Sequence, residues 1–152
     1  MKKITHSELV DIGAIWLNKK ASNIKYRAPF VVKEFVCAGV NEIPDVFGLR
    51  PGGRHVVIEV KTSRADFLKD FKKRSRLPRI NKLGNFRFYL APKDLIKVWD
   101  LPEPWGLLEW DGKHIKVAAD AAFVATNHQI TEYVYHSILR RKHKYQIFNF
   151  KK

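Results

Sequence analysis

"PDVFGLRPGGRHVVIEVKTSRADF", residues 44–67, is the stretch that decides the fold of this chain. An acid follows a proline, the turn sequence Arg-Pro-Gly-Gly comes next, and Glu59 and Lys61 interrupt a run of β-branched residues. The turn predicts a hairpin, so residues 43–49 and 55–61 are expected to be neighbouring strands. Because residues two apart in a strand lie on one face, Glu59 and Lys61 share a face, and Ile58 and Val60 share the packed one.

The hairpin is also expected to bring Asp45 alongside Glu59. Two carboxylates a few ångströms apart repel each other unless a cation lies between them. A hard divalent ion with oxygen ligands, Mg²⁺ or Mn²⁺, suits such a pair, and the carbonyl of Val60 is a candidate for a further ligand. This chemistry suits phosphodiester hydrolysis, in which Lys61 would position the attacking water and stabilise developing charge.

Pro44-Asp45, thirteen intervening residues and Glu59-Val60-Lys61 resemble the signature of the PD-(D/E)XK nuclease superfamily. Three further stretches, "EVKTSRADFLKDFKKR", "FRFYLAP" and "WGLLEW", resemble small bacterial and prophage proteins related to the MmcB-like DNA repair group, over roughly residues 5–117. The resemblance implies that Asp45 and Glu59 are metal ligands and that Lys61 orients the water.

Some members of that superfamily add an acid from the first helix or the first strand. Three glutamates compete for this place in the chain, and we rank Glu34 first, then Glu8, then Glu42. Glu34 falls inside a predicted strand, where a charge needs a reason. Glu8 has an alternative role, because Thr5 and Glu8 have the spacing of a capping box.

The order of predicted elements is helix, three strands, helix, strand, hairpin and helix, which indicates an α/β fold with a mixed sheet and a restriction-endonuclease-like αβββαβ core. We treat residues 1–152 as a single domain. The predicted helices are Thr5 to about Asn18, Arg64–Arg74, a short one at Pro92–Val98, and Asn127–His143. The predicted strands are Phe30–Cys37, Ile43–Leu49, His55–Lys61, Asn85–Ala91, Trp105–Trp110 and Lys113–Val117.

The chain is strongly basic, with 29 Lys and Arg against 15 Asp and Glu and a formal net charge of +14. Such a field attracts polyanions, and nucleic acid is the first candidate. No apolar run approaches the roughly 20 residues of a membrane span, so no membrane association is expected. The single cysteine, Cys37, cannot form an internal disulfide and is expected to be a buried small hydrophobe.

A basic run follows the motif and is our candidate DNA-phosphate surface, although such runs are often only solvated faces. Its members are Arg64, Lys69, Lys72, Lys73, Arg74, Arg76, Arg79 and Lys82. Asp66 is better explained by ordinary chemistry of a helix N-terminus. A second cluster, residues 140–144, either extends this surface or complements the end of the last helix. Trp99, Trp105 and Trp110 are expected to pack in or around the core rather than to serve as base-stacking platforms.

The sequence therefore predicts a metal-dependent DNA endonuclease-like enzyme of DNA repair, recombination or phage DNA processing, in the cytoplasm of a bacterium or a phage-infected host. The alternative is a DNA-binding accessory module on the same fold that does not cut. RNA stays open as a substrate, and a cut in both strands would suit a homodimer.

Overall fold

The structure, a computed structural model, describes residues 2–19, 25–75 and 82–143. The three helices are α1 (His6–Asn18), α2 (Arg64–Ser75) and α3 (His128–His143). The six strands are β1 (Phe30–Lys33), β2 (Val46–Leu49), β3 (His55–Val60), β4 (Phe86–Pro92), β5 (Gly106–Trp110) and β6 (Ile115–Ala119). Two short 3₁₀ turns lie at Pro51–Gly53 and Val98–Asp100. In the described part of the chain, no helix is long and apolar enough to cross a membrane.

The strands form one mixed sheet in the order β1-β2-β3-β4-β5-β6. The three antiparallel pairs are β1 with β2, β2 with β3, and β5 with β6, whereas β3–β4 and β4–β5 are parallel. Each parallel pair needs a crossover connection, and α2 supplies the first one. The predicted α/β class with a mixed sheet and an αβββαβ core is confirmed.

Helix α1 covers one face of the sheet. It begins with the predicted capping box, in which the Glu8 carboxylate accepts from the Thr5 N–H at 2.8 Å and Thr5 Oγ1 accepts from the Glu8 N–H at 3.2 Å. Leu9 and Leu17 are fully buried against Ile58 and other inward-facing side chains of β2 to β5. The packing of β-branched side chains against α1 thus fixes which face of β3 is turned away from the other two helices.

Helices α3 and α2 lie over the opposite face, side by side. Ile130 and Val134 of α3 pack with Val57 of β3 in one cluster. Phe67 of α2 packs with Tyr89 of β4 in another. Because side chains alternate along a strand, Glu59 and Lys61 lie on this second face, two and four residues beyond Val57.

His55, the first residue of β3, is fully buried on this face. Its Nδ1 accepts a hydrogen bond from the Gly84 N–H at 3.3 Å, while its buried Nε2 has no hydrogen-bond partner within the described residues. Burial lowers the pKa of His55 to about 4. An imidazole in this place is neutral at ordinary pH, because protonation would leave a charge in a dry interior.

Two predicted boundaries on the first hairpin are wrong. The first strand ends at Lys33 rather than Cys37, because Glu34 adopts a left-handed backbone conformation with φ 49°. The second strand begins at Val46 rather than Ile43. Cys37 nevertheless lies buried in the loop that follows, and burial raises the pKa of its thiol, as expected of a small hydrophobe.

The predicted helix at Pro92–Val98 is also wrong. Strand β4 continues to Pro92, turns follow, and only the 3₁₀ turn at Val98–Asp100 is helical. Asp94 has φ 66°, which breaks any helix at that point. Trp99 lies on this turn with 83% of its surface exposed, so its predicted packing role is wrong as well. Trp105 is buried and Trp110 packs at the border of the α1 core, as predicted.

Candidate functional site

The two acidic residues of the motif belong to neighbouring segments: Asp45 directly precedes β2, and Glu59 lies in β3, the strand paired with β2. The antiparallel register pairs Phe47 with Val57 and Val46 with Ile58. The pairing ends there, because Asp45 lies outside β2. The contact that joins Asp45 to β3 is a hydrogen bond from the Val60 N–H to its Oδ2 at 2.7 Å, which places this carboxylate at the residue that follows Glu59.

One oxygen of the Asp45 carboxylate has two close polar neighbours. Its Oδ2 accepts a hydrogen bond from the Val60 N–H at 2.7 Å and lies 3.3 Å from Nε2 of His6. Both contacts use Oδ2, so Oδ1 is the oxygen that a cation would take. His6 could not be predicted from the sequence, because only the packing of α1 against the sheet brings the first residue of this helix to Asp45.

Glu59 and Lys61 are charged side chains with little exposure. Each residue has 8% of its surface exposed, although β3 is otherwise a run of apolar core positions apart from His55. Glu59 lies opposite Tyr89 of β4 in the parallel register. Burying a charge costs free energy unless it is paired or holds an ion, so these two positions are candidates for function.

Lys61 is directed by two acids of α2. Its ammonium lies 4.0 Å from Oδ2 of Asp66 and 3.8 Å from Oδ1 of Asp70. The hydroxyl of Tyr89 donates to the other oxygen of Asp70 at 2.8 Å. Asp66 does belong to the first turn of α2, as predicted, with its N–H donating to Ser63 Oγ at 3.2 Å, and its carboxylate also faces Lys61.

Sequence analysis missed Asp70 and Tyr89. The available signal was the i, i+4 spacing of Asp66 and Asp70, which places both carboxylates on one face of α2. Nothing in the sequence showed that this face turns toward the end of β3. The hydroxyl of Tyr89 could not be placed either, because its partner is 19 residues away in the chain.

The three candidate glutamates have different surroundings. Glu8 serves the capping box, and Glu42 forms a two-pronged ion pair with Arg87, at 2.8 and 2.7 Å. Glu34 is exposed and lies outside the strand, although its N–H donates to the Asp45 carbonyl at 3.0 Å. The argument that ranked Glu34 first, a charge inside a strand, is therefore wrong. Its part in the site stays a prediction.

The donor set is small but fits a hard divalent ion. Within the described residues, no group of three or more His, Cys, Asp and Glu side chains is arranged to hold a metal. Asp45 and Glu59 offer two carboxylates, and the Val60 carbonyl remains the predicted third oxygen. Mg²⁺ is commonly bound in this way, through one or two carboxylates, with water and substrate phosphate oxygens filling the other positions.

The predicted phosphate surface is only partly as expected. Arg64 is committed to an ion pair, because its Nη1 donates to Oδ2 of Asp100 at 2.9 Å and to the Leu95 carbonyl at 3.3 Å. The pair raises the pKa of Arg64 and lowers that of Asp100. Arg64 therefore joins α2 to the loop after β4, and its role as a phosphate contact stays a prediction.

The other basic residues differ in their exposure and in whether the structure describes them. Lys69, Lys72 and Lys73 are exposed on α2, and Lys82 is half-buried before β4. Arg74 lies in the last turn of α2, whereas Arg76 and Arg79 lie outside the described residues. In the second cluster, Arg140 and Arg141 are exposed on α3, Lys142 and His143 complete that helix, and Lys144 lies outside the described residues.

The chain is similar to one solved structure, a protein of unknown function from Silicibacter pomeroyi. The likeness has a TM-score of 0.54 and 26% sequence identity, and it covers 80% of this chain and 84% of that one. No protein-family model matches the chain, and no curated protein matches it. The comparison supports the α/β fold, so the argument about function rests on the site.

Proposed function

We propose that this protein is a metal-dependent phosphodiesterase that hydrolyses DNA, an endodeoxyribonuclease-like enzyme of repair, recombination or phage DNA processing. The observation that carries the proposal is the 2.7 Å hydrogen bond from the Val60 N–H to the Asp45 carboxylate, which joins Asp45 to the chain between the nearly buried residues Glu59 and Lys61. Acids gathered near a nearly buried lysine suit a site where a cation assists chemistry on a phosphodiester.

The residues that would hold Mg²⁺ or Mn²⁺ are Asp45, Glu59 and, through its carbonyl, Val60. When bound, the ion would neutralise charge on the phosphoryl oxygens and lower the pKa of a coordinated water. The Val60 N–H donates to Oδ2 of Asp45 and His6 lies 3.3 Å from the same oxygen, so Oδ1 of that carboxylate would be the ligand for the ion. His6 is thus a positioning residue in this proposal.

Lys61 supplies positive charge and hydrogen-bond donors where negative charge develops. Its ammonium is steered by Asp66 and Asp70 at 4.0 and 3.8 Å, distances that leave its three donors available to a phosphate oxygen or a water. Tyr89 in turn fixes Asp70 through a 2.8 Å hydrogen bond. Preorganised donors of this kind lower the barrier because they need no reorientation during the reaction.

The net charge of +14 supports DNA as the partner. The exposed lysines Lys69, Lys72 and Lys73 lie on α2, the helix that also carries the acids beside Lys61. Contacts between these lysines and phosphates would position the backbone without reading sequence. Such an enzyme would act in the cytoplasm of a bacterium or of a phage-infected host.

The test of catalysis is incubation of the wild type with branched, nicked and single-stranded DNA in Mn²⁺, beside Lys61→Met. We expect the variant to cleave at least about 100-fold more slowly while Mn²⁺ and DNA binding persist, because it loses a charge used in the transition state. Lys113→Met, which removes an exposed lysine from the β5–β6 turn, is the matched control and should cleave normally. Equal cleavage by Lys61→Met would refute the assigned centre.

Metal binding is measured separately by calorimetry and by thermal unfolding. Mn²⁺ at 100 times its Kd should stabilise the wild type by about 2.7 kcal/mol. Asp45→Asn and Glu59→Gln should abolish most of this gain, whereas Glu132→Gln, on the exposed surface of α3, should keep it. A gain that survives in both site variants would place the ion elsewhere.

A second candidate function is a DNA-binding accessory module that does not cut. It is favoured by the Val60 N–H and His6, which already occupy Oδ2 of Asp45, and by the lack, in the described residues, of a group of three acidic or histidine ligands. Tight DNA binding without cleavage, and with no stabilisation by Mn²⁺, would decide for this function.

A further inference from the structure

A tryptophan stands in solvent on the loop that follows β4. Trp99 is 83% exposed and the adjacent Val98 is 50% exposed, whereas Trp16 and Trp105 are buried. An exposed indole forgoes the free energy that its large apolar surface would gain from burial. Single exposed apolar residues are common, so the way in which the turn is built decides whether this one has a function.

The turn that carries Trp99 is firmly held. The Asp100 N–H donates to the Lys97 carbonyl at 2.9 Å, and the Leu101 N–H donates to the Val98 carbonyl at 3.2 Å. Oδ2 of Asp100 accepts from Arg64 at 2.9 Å and from the Lys97 N–H at 3.3 Å. The residue next to Trp99 is therefore tied to α2, so the backbone that carries the indole is held in place.

The same helix links this turn to the candidate site. Arg64 is the first residue of α2, and Asp66 and Asp70 of α2 face the ammonium of Lys61. The loop that carries Trp99 leaves β4 after Pro92, and β4 runs parallel to β3, so the loop starts at the sheet edge where β3 ends near Lys61. One rigid helix therefore positions both the candidate lysine and the exposed indole.

We propose that Trp99, with Val98 beside it, is a stacking platform for an unpaired nucleobase of the DNA strand that reaches the candidate centre. This inference rests on the proposed function and narrows its substrate to DNA with unpaired bases: single strands, flaps or branches. An aromatic ring stacks on any base, and a basic protein attracts the backbone of the strand. An apolar side chain beside the ring, here that of Val98, can insert against the neighbouring base step.

The chemistry of the turn favours a nucleobase over a membrane or an apolar protein surface. Apart from Val98, the flanking residues of Trp99 are Lys97 and Asp100, whose charges are balanced by Asp94 and Arg64. Docking onto a membrane or a protein is expected to need a contiguous apolar patch rather than one ring set between charges. The net charge of +14 also matches a polyanion.

The test is binding of a single-stranded oligothymidylate and of a blunt duplex in EDTA, followed by fluorescence anisotropy and by quenching of tryptophan emission. Trp99→Ala should weaken single-strand binding about 10-fold and remove most of the quenching. Trp99→Phe should retain most of the affinity and Trp99→Leu should not, because stacking needs a ring. Phe123→Ala is the matched control, since Phe123 is 53% exposed and its neighbour Val124 bonds to Asn85, at the opposite end of β4.

Three results would overturn the inference: unchanged single-strand binding by Trp99→Ala, full affinity in Trp99→Leu, or a shift in emission with vesicles of phosphatidylglycerol but not with the oligonucleotide. Failure of the proposed function has a different signature. The wild type would then bind single strands through Trp99 and yet fail to cleave them in Mn²⁺. Conversely, if the wild type cleaves DNA and Trp99→Ala cleaves it equally fast, the stacking role of Trp99 is rejected while the proposed enzymatic function stands.

Discussion

Acidification from pH 7.5 to pH 5 is expected to destabilise this protein through His55. The imidazole is fully buried at the start of β3, with Nδ1 bonded to the Gly84 N–H and Phe47 5.6 Å away. Its pKa falls from the ordinary 6.5 to about 4 in the folded state because of burial. The unfolded chain therefore takes up this proton at a pH where the folded protein does not.

The sign and the size of the effect follow from the two pKa values. The stabilisation by neutral His55 is complete above pH 6.5 and is lost as the pH falls from 6.5 toward 4. The full loss is about 3 kcal/mol, and about 2 kcal/mol of it occurs between pH 7.5 and pH 5. Carboxylates with lowered pKa values, such as Asp100, contribute at more acidic pH and so fall outside this window.

The assay is urea unfolding of the wild type and of His55→Phe at pH 7.5 and pH 5. His55→Phe has no titrating group at this place, so its stability should fall by about 2 kcal/mol less than that of the wild type between the two pH values. His55→Asn keeps an acceptor for the Gly84 N–H and should behave in the same way. His136→Gln, which removes an exposed imidazole from α3, should retain the wild-type difference. Equal losses in the wild type and in both His55 variants would refute the reasoning.

Two further substitutions test how the sheet is held around the site. Glu42→Gln should destabilise the protein by about 3–5 kcal/mol in urea unfolding, because it leaves the guanidinium of Arg87, only 6% exposed, without its charge partner. The double variant Glu42→Leu/Arg87→Met should recover most of this loss, and a loss as large as that of the single variant would contradict the ion-pair argument. Gly106→Ala should cost about 1–3 kcal/mol or more, since the new Cβ would meet the Phe88 ring at 2.5 Å and the Ala121 backbone nitrogen at 2.6 Å. Gly13→Ala should cost far less, because the Leu90 methyl that it meets at 2.8 Å can move and alanine favours the helix; similar Tm losses for the two would count against this explanation.

The local chemistry of the sequence was sufficient for most of the elements. The capping box of Thr5 and Glu8, the turn at 50–53 and the β-branched run of β3 act over a few residues, and each was predicted where the structure has it. The wrong predictions, the end of the first strand and the helix at Pro92–Val98, lie where a residue adopts an unusual backbone conformation. Glu34 and Asp94 adopt positive φ values, which end a strand and prevent a helix, and neither residue type announces this by itself.

The residues of the candidate site likewise include some that local sequence predicts and others that only tertiary packing places. Asp45, Glu59 and Lys61 could be named from the sequence because a hairpin of short loop fixes its own register, and the register sets the faces. His6, Asp70 and Tyr89 could not be named, because their places depend on how α1 and α2 dock on the sheet. Arg64 illustrates the converse, since a basic residue beside the motif turned out to bind Asp100.

The sequence by itself determined the α/β class, the strand that carries the paired charges, and the basic character of the protein, because periodicity, turn residues and net charge are properties of neighbouring residues or of composition. Only the tertiary structure decided what surrounds those charges: which histidine meets Asp45, which acids steer Lys61, and that Trp99 stands in solvent. These contacts join residues that are far apart in the chain. They exist because buried apolar faces fix the docking of whole helices, and that docking is settled by packing over the entire core.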